Sequence, residues 1–281
     1  MMINSLKMKC VFLIFAVIFC VSSLSFASQN KIIYYQDIGQ GKPLVLIHAF
    51  PSDSRLWDPQ QAQLKNYFRI ITLDLWGFGK SSSVDGQAVT MTDFADEIKI
   101  LLDQLQIQKA IIGGESMGGY VALALLDKYP NQVAGLVLSN TQSIADSEET
   151  QAKREATAID VLQNGTTNFI NQFIPKALST NASEEIKLFL RNILDKQQAT
   201  ALASASRGMA LRSDMSDLLA NTALPILIIS GDKDALIPPE QSKYMHLLAK
   251  NSQLLILANA GHLSNLEQSA QWNQAVIDMF S

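Results

Sequence analysis

Beyond residue 27 the chain contains no cysteine; its two, Cys10 and Cys20, lie in the N-terminal segment. If that segment is removed, disulfides, thiol nucleophiles and cysteine metal sites are excluded together. Histidine is scarce as well, with three in 281 residues, which leaves few candidates for a general base. Neither glycine-rich phosphate loop is present. A phosphate loop needs Gly-Lys-Ser/Thr where the chain has Gly118-Gly119-Tyr120, and the dinucleotide pattern G-x-G-x-x-G does not fit. Basic charge is in deficit, 22 Lys and Arg against 26 Asp and Glu, and loss of Lys7 and Lys9 would move the net charge from −4 to −6. A nucleic-acid partner is therefore not expected. Internal repeats and low-complexity tracts are missing too.

At 48% hydrophobic and 17% charged residues, the chain can build one large core, with room for an inserted subdomain. Its start reads as an address. Lys7 and Lys9 precede the apolar run CVFLIFAVIFCV, and Ser25 and Ala27 stand at the small-residue positions of a cleavage site. Residues 1–27 are expected to be a signal peptide cleaved after Ala27, giving an exported protein, periplasmic or secreted, with no stable membrane insertion. The alternatives are an uncleaved anchor, since Cys10 to Ala27 just reaches spanning length, and a lipoprotein modified at Cys20, against which the bulky Phe19 argues.

Within residues 28–281, short apolar runs alternate with amphipathic stretches. PLVLIHAF, RIITLDLW, AIIGGES, VAGLVLSN, PILIISGD and QLLILANAGH have the look of strands buried on both faces. Between them, Phe94, Ile98, Leu101 and Leu105 repeat at helical spacing, and Thr90 with Asp93 makes a weak capping box. The alternation predicts a mostly parallel central sheet flanked by helices, with residues 32–38 as an antiparallel edge. From about 142 to 222 strand-like runs stop and helical patterns continue, punctuated by Gly165, Pro175 and STNAS. That stretch is read as an inserted helical cap.

Chemistry in such a sheet gathers at the carboxyl ends of its strands. After AIIGG comes Glu115-Ser116-Met117-Gly118-Gly119, a G-x-S-x-G between a strand and a helix. There a sharp turn with small neighbours exposes a serine hydroxyl at a helix N-terminus; the ordinary alternative is a glycine-rich packing turn. A hydroxyl becomes a nucleophile only when a base takes its proton. His246 sits in a surface-helix pattern and His48 more plausibly shapes a loop, so His262, in the turn after the last strand, is the candidate. The carboxylate that orients it is Asp232 or Asp234, both after the strand PILIIS, and either gives the chain order Ser, Asp, His.

The segments LIHAFPSDSRLWDPQ, DLWGFGKSS, GESMGG, GDKDALIPP and AGHLSNLEQ, in that order between about Ile32 and Phe280, resemble the signature segments of the α/β-hydrolase superfamily. The chain is most similar to the branch of 3-oxoadipate enol-lactonases and carboxylesterases, partly through RGMALRSDMSDLLANTALPILIISGDKD and GHLSNLEQ. The resemblance implies Ser116 as nucleophile, His262 as base and Asp234, at the second acidic position, as the acid. Asp232 would then hold its turn. It also implies an oxyanion hole from the backbone amides of Phe50 and Met117. Arg207 or Arg212 would hold a substrate carboxylate of the kind a lactone acid carries, although a solvated helix arginine is the ordinary reading.

Three positions depart from the pattern: Ala49 where glycine is common, Trp76 where arginine is usual, and Glu115 beside the nucleophile, read as a partner beneath the turn. The expected activity is hydrolysis of a small carboxylic ester or lactone through an acyl-enzyme, with no cofactor and no metal. Perhydrolase or haloperoxidase-like chemistry and carbon-carbon bond hydrolysis are the neighbouring alternatives. A noncatalytic binding protein that keeps the fold is the non-enzyme alternative. An aspartate-nucleophile dehalogenase or epoxide hydrolase is disfavoured by Ser116.

Overall fold

Parallel strands covered on both faces need unbroken apolar runs, and the central strands have them. A computed structural model describes residues 31–281; the expected signal peptide and its cleavage site lie outside the described residues. Seven strands form one sheet: β1 (Tyr34–Ile38), β2 (Lys42–Ile47), β3 (Phe68–Asp74), β4 (Ala110–Glu115), β5 (Val133–Ser139), β6 (Ile226–Gly231) and β7 (Ser252–Leu257). Their spatial order is β1-β3-β2-β4-β5-β6-β7, with β1 antiparallel to β3 and every other pair parallel. Every residue of β4 and β6 is buried. The edge strand β1 instead alternates between half-buried and exposed positions.

Helices cover both faces: α1 (Asp58–Leu64), α2 (Met91–Gln104), α3 (Met117–Lys128), then α4 to α8, and finally α9 (Pro239–Leu248), α10 (Ser264–Glu267) and α11 (Ser269–Phe280). The α2 N-terminus carries the full capping box, with Thr90 and Asp93 each satisfying the other's backbone N–H. Phe94, Ile98 and Leu101 of this helix are buried in the larger core. On the other face Trp57 packs against Trp272 with ring centroids 5.4 Å apart.

Between β5 and β6 the chain forms only helices: α4 (Glu148–Asn164), α5 (Thr167–Ala177), α6 (Glu184–Leu194), α7 (Ala199–Ala210) and α8 (Ser216–Asn221). Gly165, at φ 78°, ends α4. Pro175 does not break the chain as the sequence suggested. It lies inside α5, in the last turn, where the helix gives up one backbone donor and closes at Ala177. This helical layer is tied to the loop before α10. Leu263 N–H donates to the Ala177 carbonyl at 3.0 Å, and Glu267 accepts from Ser179 N–H at 3.1 Å and Gly261 N–H at 2.7 Å.

The parallel register brings the carboxyl ends of β2, β4, β5 and β6 to one edge of the sheet. Ile47 aligns with Gly114, Glu115 with Ser139, and Ser139 with Ile229. The loops that leave these ends, with the one after β7, build the site.

Candidate active site

Ser116 joins β4 to α3 at φ 55° and ψ −114°, a strained left-handed conformation that costs a residue with a Cβ about 1–3 kcal/mol. Backbone packing dictates its neighbours. A Cβ on Gly114 would come within 2.1 Å of the Gly118 carbonyl, and one on Gly118 within 2.1 Å of the Ile47 carbonyl oxygen. The turn is pinned from β5, because Ser116 N–H donates to the Ser139 carbonyl at 2.8 Å and the Thr141 hydroxyl donates to the Ser116 carbonyl at 2.8 Å. The Ser116 side chain is thereby presented to a cavity above the sheet.

His262, buried in the loop between β7 and α10, reaches both predicted partners. Its Nε2 is 2.8 Å from Ser116 Oγ and its Nδ1 is 2.9 Å from Asp234 Oδ2. With Asp234 ionised, the proton belongs on Nδ1, and Nε2 is left to accept from the serine hydroxyl. Asp234 is held on every side: Oδ1 accepts Leu236 N–H and Ile237 N–H, each at 2.9 Å, and Oδ2 also accepts the Asn140 side-chain N–H at 2.9 Å. Burial pushes this carboxyl up, but the His262 charge and these hydrogen bonds outweigh it and hold it below the usual aspartate value.

Asp232 does not hold the turn with its side chain, contrary to expectation. Its carboxylate is part-exposed and faces Lys233 Nζ at 3.3 Å, while the turn amides go to Asp234. One oxygen of Asp234 thus does the work assigned to Asp232. The sequence reading also missed Asn140. At φ 45° after β5, it bonds Asp234, the Gly261 carbonyl at 3.3 Å and the Ser264 hydroxyl, joining the acid to the His262 loop. An asparagine at the carboxyl end of a central strand was the available signal, since asparagine tolerates the left-handed region.

The other histidines are engaged elsewhere. His48 is buried; its Nε2 accepts Leu75 N–H at 3.1 Å, so its proton sits on Nδ1, 3.0 Å from the Ala49 carbonyl. Burial lowers its pKa and keeps the ring neutral. His246 Nδ1 is 2.8 Å from the hydroxyl of Ser252, the residue that opens β7. Among the described residues, the N–H groups of Phe50 and Met117 have no backbone acceptor. Met117 opens α3, so its N–H has no carbonyl in its own helix. Phe50 lines the cavity with Ser116 and His262.

That cavity measures about 370 Å³, within the size range of small-molecule sites. Phe50, Phe169 and Phe173 make an apolar wall, the first two rings edge to face at 5.7 Å and the last two stacked at 5.7 Å. Neither arginine expected to hold a substrate carboxylate lines it, and that expectation is corrected. Arg207 is spent on Glu155 at 2.6 Å and the Gly86 carbonyl at 2.7 Å. Arg212 is buried against Asp146 at 2.5 Å and covers the Tyr120 ring at 4.2 Å. The guanidinium at the cavity belongs to Arg154, which nothing in the sequence separates from a solvated helix face. Among the described residues no cluster of three His, Cys, Asp or Glu side chains suits a metal ion.

Glu115 is fully buried beneath the turn, where Ser139 is its one side-chain contact that favours the charged form and neither carboxyl oxygen makes a well-formed hydrogen bond. Burial pushes its pKa well above the usual glutamate value, the Ser139 side chain offsets only part of this, and the Asp234 charge adds to the rise. A raised carboxyl keeps its proton in the folded state after the unfolded chain has lost it. Its linked stability is therefore present at low pH and declines as pH rises from the unfolded value, about 4.3. Glu115→Gln removes this linkage. Its melting temperature relative to the parent protein is expected to climb by about 3 °C or more between pH 5 and pH 8, as read by calorimetry; parallel curves would show that Glu115 does not retain a proton.

Residues 42–269 match the family described as alpha/beta hydrolase fold. Among solved structures, the chain is similar to a malate-bound thermophilic esterase from Thermogutta terrifontis, with 34% identity, a TM-score of 0.86, and coverage of 88% of this chain and 92% of that one. Among curated proteins it is similar to 3-oxoadipate enol-lactonase 1 of Acinetobacter baylyi, 26% identical over 82% of this chain and 85% of the relative. A putative non-heme chloroperoxidase of Synechocystis is 27% identical over 88% of this chain and 94% of the relative.

Proposed function

Because the chain belongs to the alpha/beta hydrolase fold family, we propose that it is a serine hydrolase acting on small carboxylic esters or lactones through an acyl-enzyme. The observation that carries this reading is the hydrogen-bonded line Ser116–His262–Asp234, with spacings of 2.8 and 2.9 Å, opening on the cavity. His262 Nε2 takes the Ser116 proton as Oγ attacks the ester carbonyl. Asp234 keeps the Nδ1 proton in place and stabilises the imidazolium that forms. The N–H groups of Phe50 and Met117 are the donors for the oxyanion, each worth about a hundredfold in rate or more.

His262 then returns the proton to the leaving alcohol, and the acyl group stays on Ser116. Water, deprotonated by the same nitrogen, attacks the acyl carbonyl, and the acid leaves as Oγ regains its proton. A lactone follows the same course with the alcohol still attached to the acyl group. The similar proteins named esterase and enol-lactonase support this choice of bond. Purified protein given a panel of esters and lactones of graded chain length tests it. Turnover lost in Ser116→Ala supports the reading, whereas no turnover of any member rejects it.

Export is also proposed, from the succession of charged, apolar and small residues at the start of the chain. Intact mass from a secreting bacterial host is expected to match a chain beginning at Ser28. Full-length chain found only in membranes would contradict it.

A further inference from the structure

The cavity over Ser116 is lined by charges of one sign. Lys153, Arg154 and Lys176 face it, and neither Asp nor Glu does, although acidic residues outnumber basic ones in the whole chain. Lys153 is the least informative, since it pairs with Glu149 at 2.6 Å on an exposed helix face. Arg154 differs. It bonds Asp146 through Nε, but Arg212 holds the other oxygen of the same carboxylate at 2.5 Å. One buried carboxylate thus serves two guanidiniums, and the cluster keeps a net positive charge against the cavity wall. Lys176, from α5, makes no ion pair among the described residues. Tyr120 adds its ring to the same wall from α3, one turn beyond Ser116, with the Arg212 guanidinium over its face.

Phe50, Phe169 and Phe173 supply apolar lining to the same cavity, and α5 carries both Lys176 and two of these rings. A partly enclosed hollow focuses such a field and raises the local concentration of anions. Arg154 also gives Nη1 to the Met209 sulfur at 3.4 Å, a weak acceptor that a carboxylate can replace, and Nη2 has no partner among the described residues, so this side of the guanidinium suits a carboxylate. We infer that this cavity selects substrates carrying a carboxylate in addition to the ester to be cleaved, with Arg154 and Lys176 receiving it. The inference rests on the hydrolase reading above and names its substrate class.

The test compares each acidic ester with a neutral one of the same length: monomethyl succinate with methyl butyrate, which puts the acid on the acyl side, and O-acetylglycolic acid with propyl acetate, which puts it on the alcohol side. In at least one pair, kcat/KM is expected to favour the acidic ester, and the ratio is expected to fall as salt rises. Lys176→Glu should lower that ratio by about threefold or more, the scale of a reversed charge at an exposed site. Arg154→Gln should lower it as well. Because Arg154 also anchors Asp146, the Lys176 variant decides if the Arg154 variant fails to fold. Arg207→Gln, outside the cavity, should leave the ratio alone. Calorimetric binding of succinate and butyrate to Ser116→Ala reads the same site without turnover. Succinate is expected to bind more tightly, and Lys176→Glu to remove the difference.

Hydrolysis with no preference for the acid in either pair, or a preference that survives Lys176→Glu, overturns the inference and leaves the hydrolase reading standing. No hydrolysis together with a Lys176-dependent succinate preference does the reverse. Equal binding of succinate and butyrate with no hydrolysis overturns both.

Discussion

Ser116→Ala is expected to lower kcat for ester hydrolysis by about a millionfold, down to the residual rate that oxyanion donors and binding alone provide. The size follows from the geometry. Ser116 Oγ lies 2.8 Å from His262 Nε2, and the chain has no cysteine beyond residue 20 to replace it. His262→Ala should cost nearly as much, and the double variant little more than either, because the two groups act as one unit. Alanine at 116 keeps the strained backbone, so circular dichroism and melting temperature should change little. A single variant retaining more than about a thousandth of the rate would place the nucleophile elsewhere.

Asp234→Asn is expected to lower kcat by about ten thousandfold with the fold intact. The surroundings dictate how the new amide would sit. Leu236 and Ile237 offer two backbone N–H groups at the Oδ1 position, so the amide oxygen settles there. Its NH2 must then face His262 Nδ1 and the Asn140 side-chain amide. The proton of His262 moves to Nε2, which can no longer accept from Ser116. Asn140 would also lose one of its two acceptors, keeping the Gly261 carbonyl, and stability should drop by about 1–2 kcal/mol. Asp232→Asn, by contrast, touches only a part-exposed pair with Lys233, and should change kcat by less than about threefold. The reverse ranking of the two variants, at unchanged circular dichroism, would move the acid to Asp232.

Much of this arrangement was legible in the sequence because parallel strands and their termini follow local rules. Buried runs such as AIIGGE need both faces covered, and the turn after them needs glycine wherever backbone approaches backbone, as Gly114 and Gly118 do. Ser116 and His262 could be picked out as residues that follow strands, whereas Asp234 was separated from Asp232 by the resemblance to the family. What failed was pairing across distance. Arg207 and Arg212 look free in the sequence, yet Glu155 lies 52 residues from the first and Asp146 is shared by the second. Arg154 looks like one more solvated helix residue until α4 and α7 are packed together. Asn140 meets Asp234 from 94 residues away, and only the order of β5 and β6 in the sheet makes them neighbours. Glu115 was placed beneath the turn correctly, but how few groups favour its charge there depends on side chains from other elements.

Trapping the covalent intermediate is the most direct measurement. A phosphonate probe of serine hydrolases should add one mass increment to the intact protein. After trypsin, that increment should fall on the peptide Ala110–Lys128, whose one serine is Ser116. Ser116→Ala should take up no label, and Asp234→Asn should take it up far more slowly than the parent protein. Label on any other peptide, or stoichiometric label on Ser116→Ala, contradicts an acyl-enzyme at Ser116.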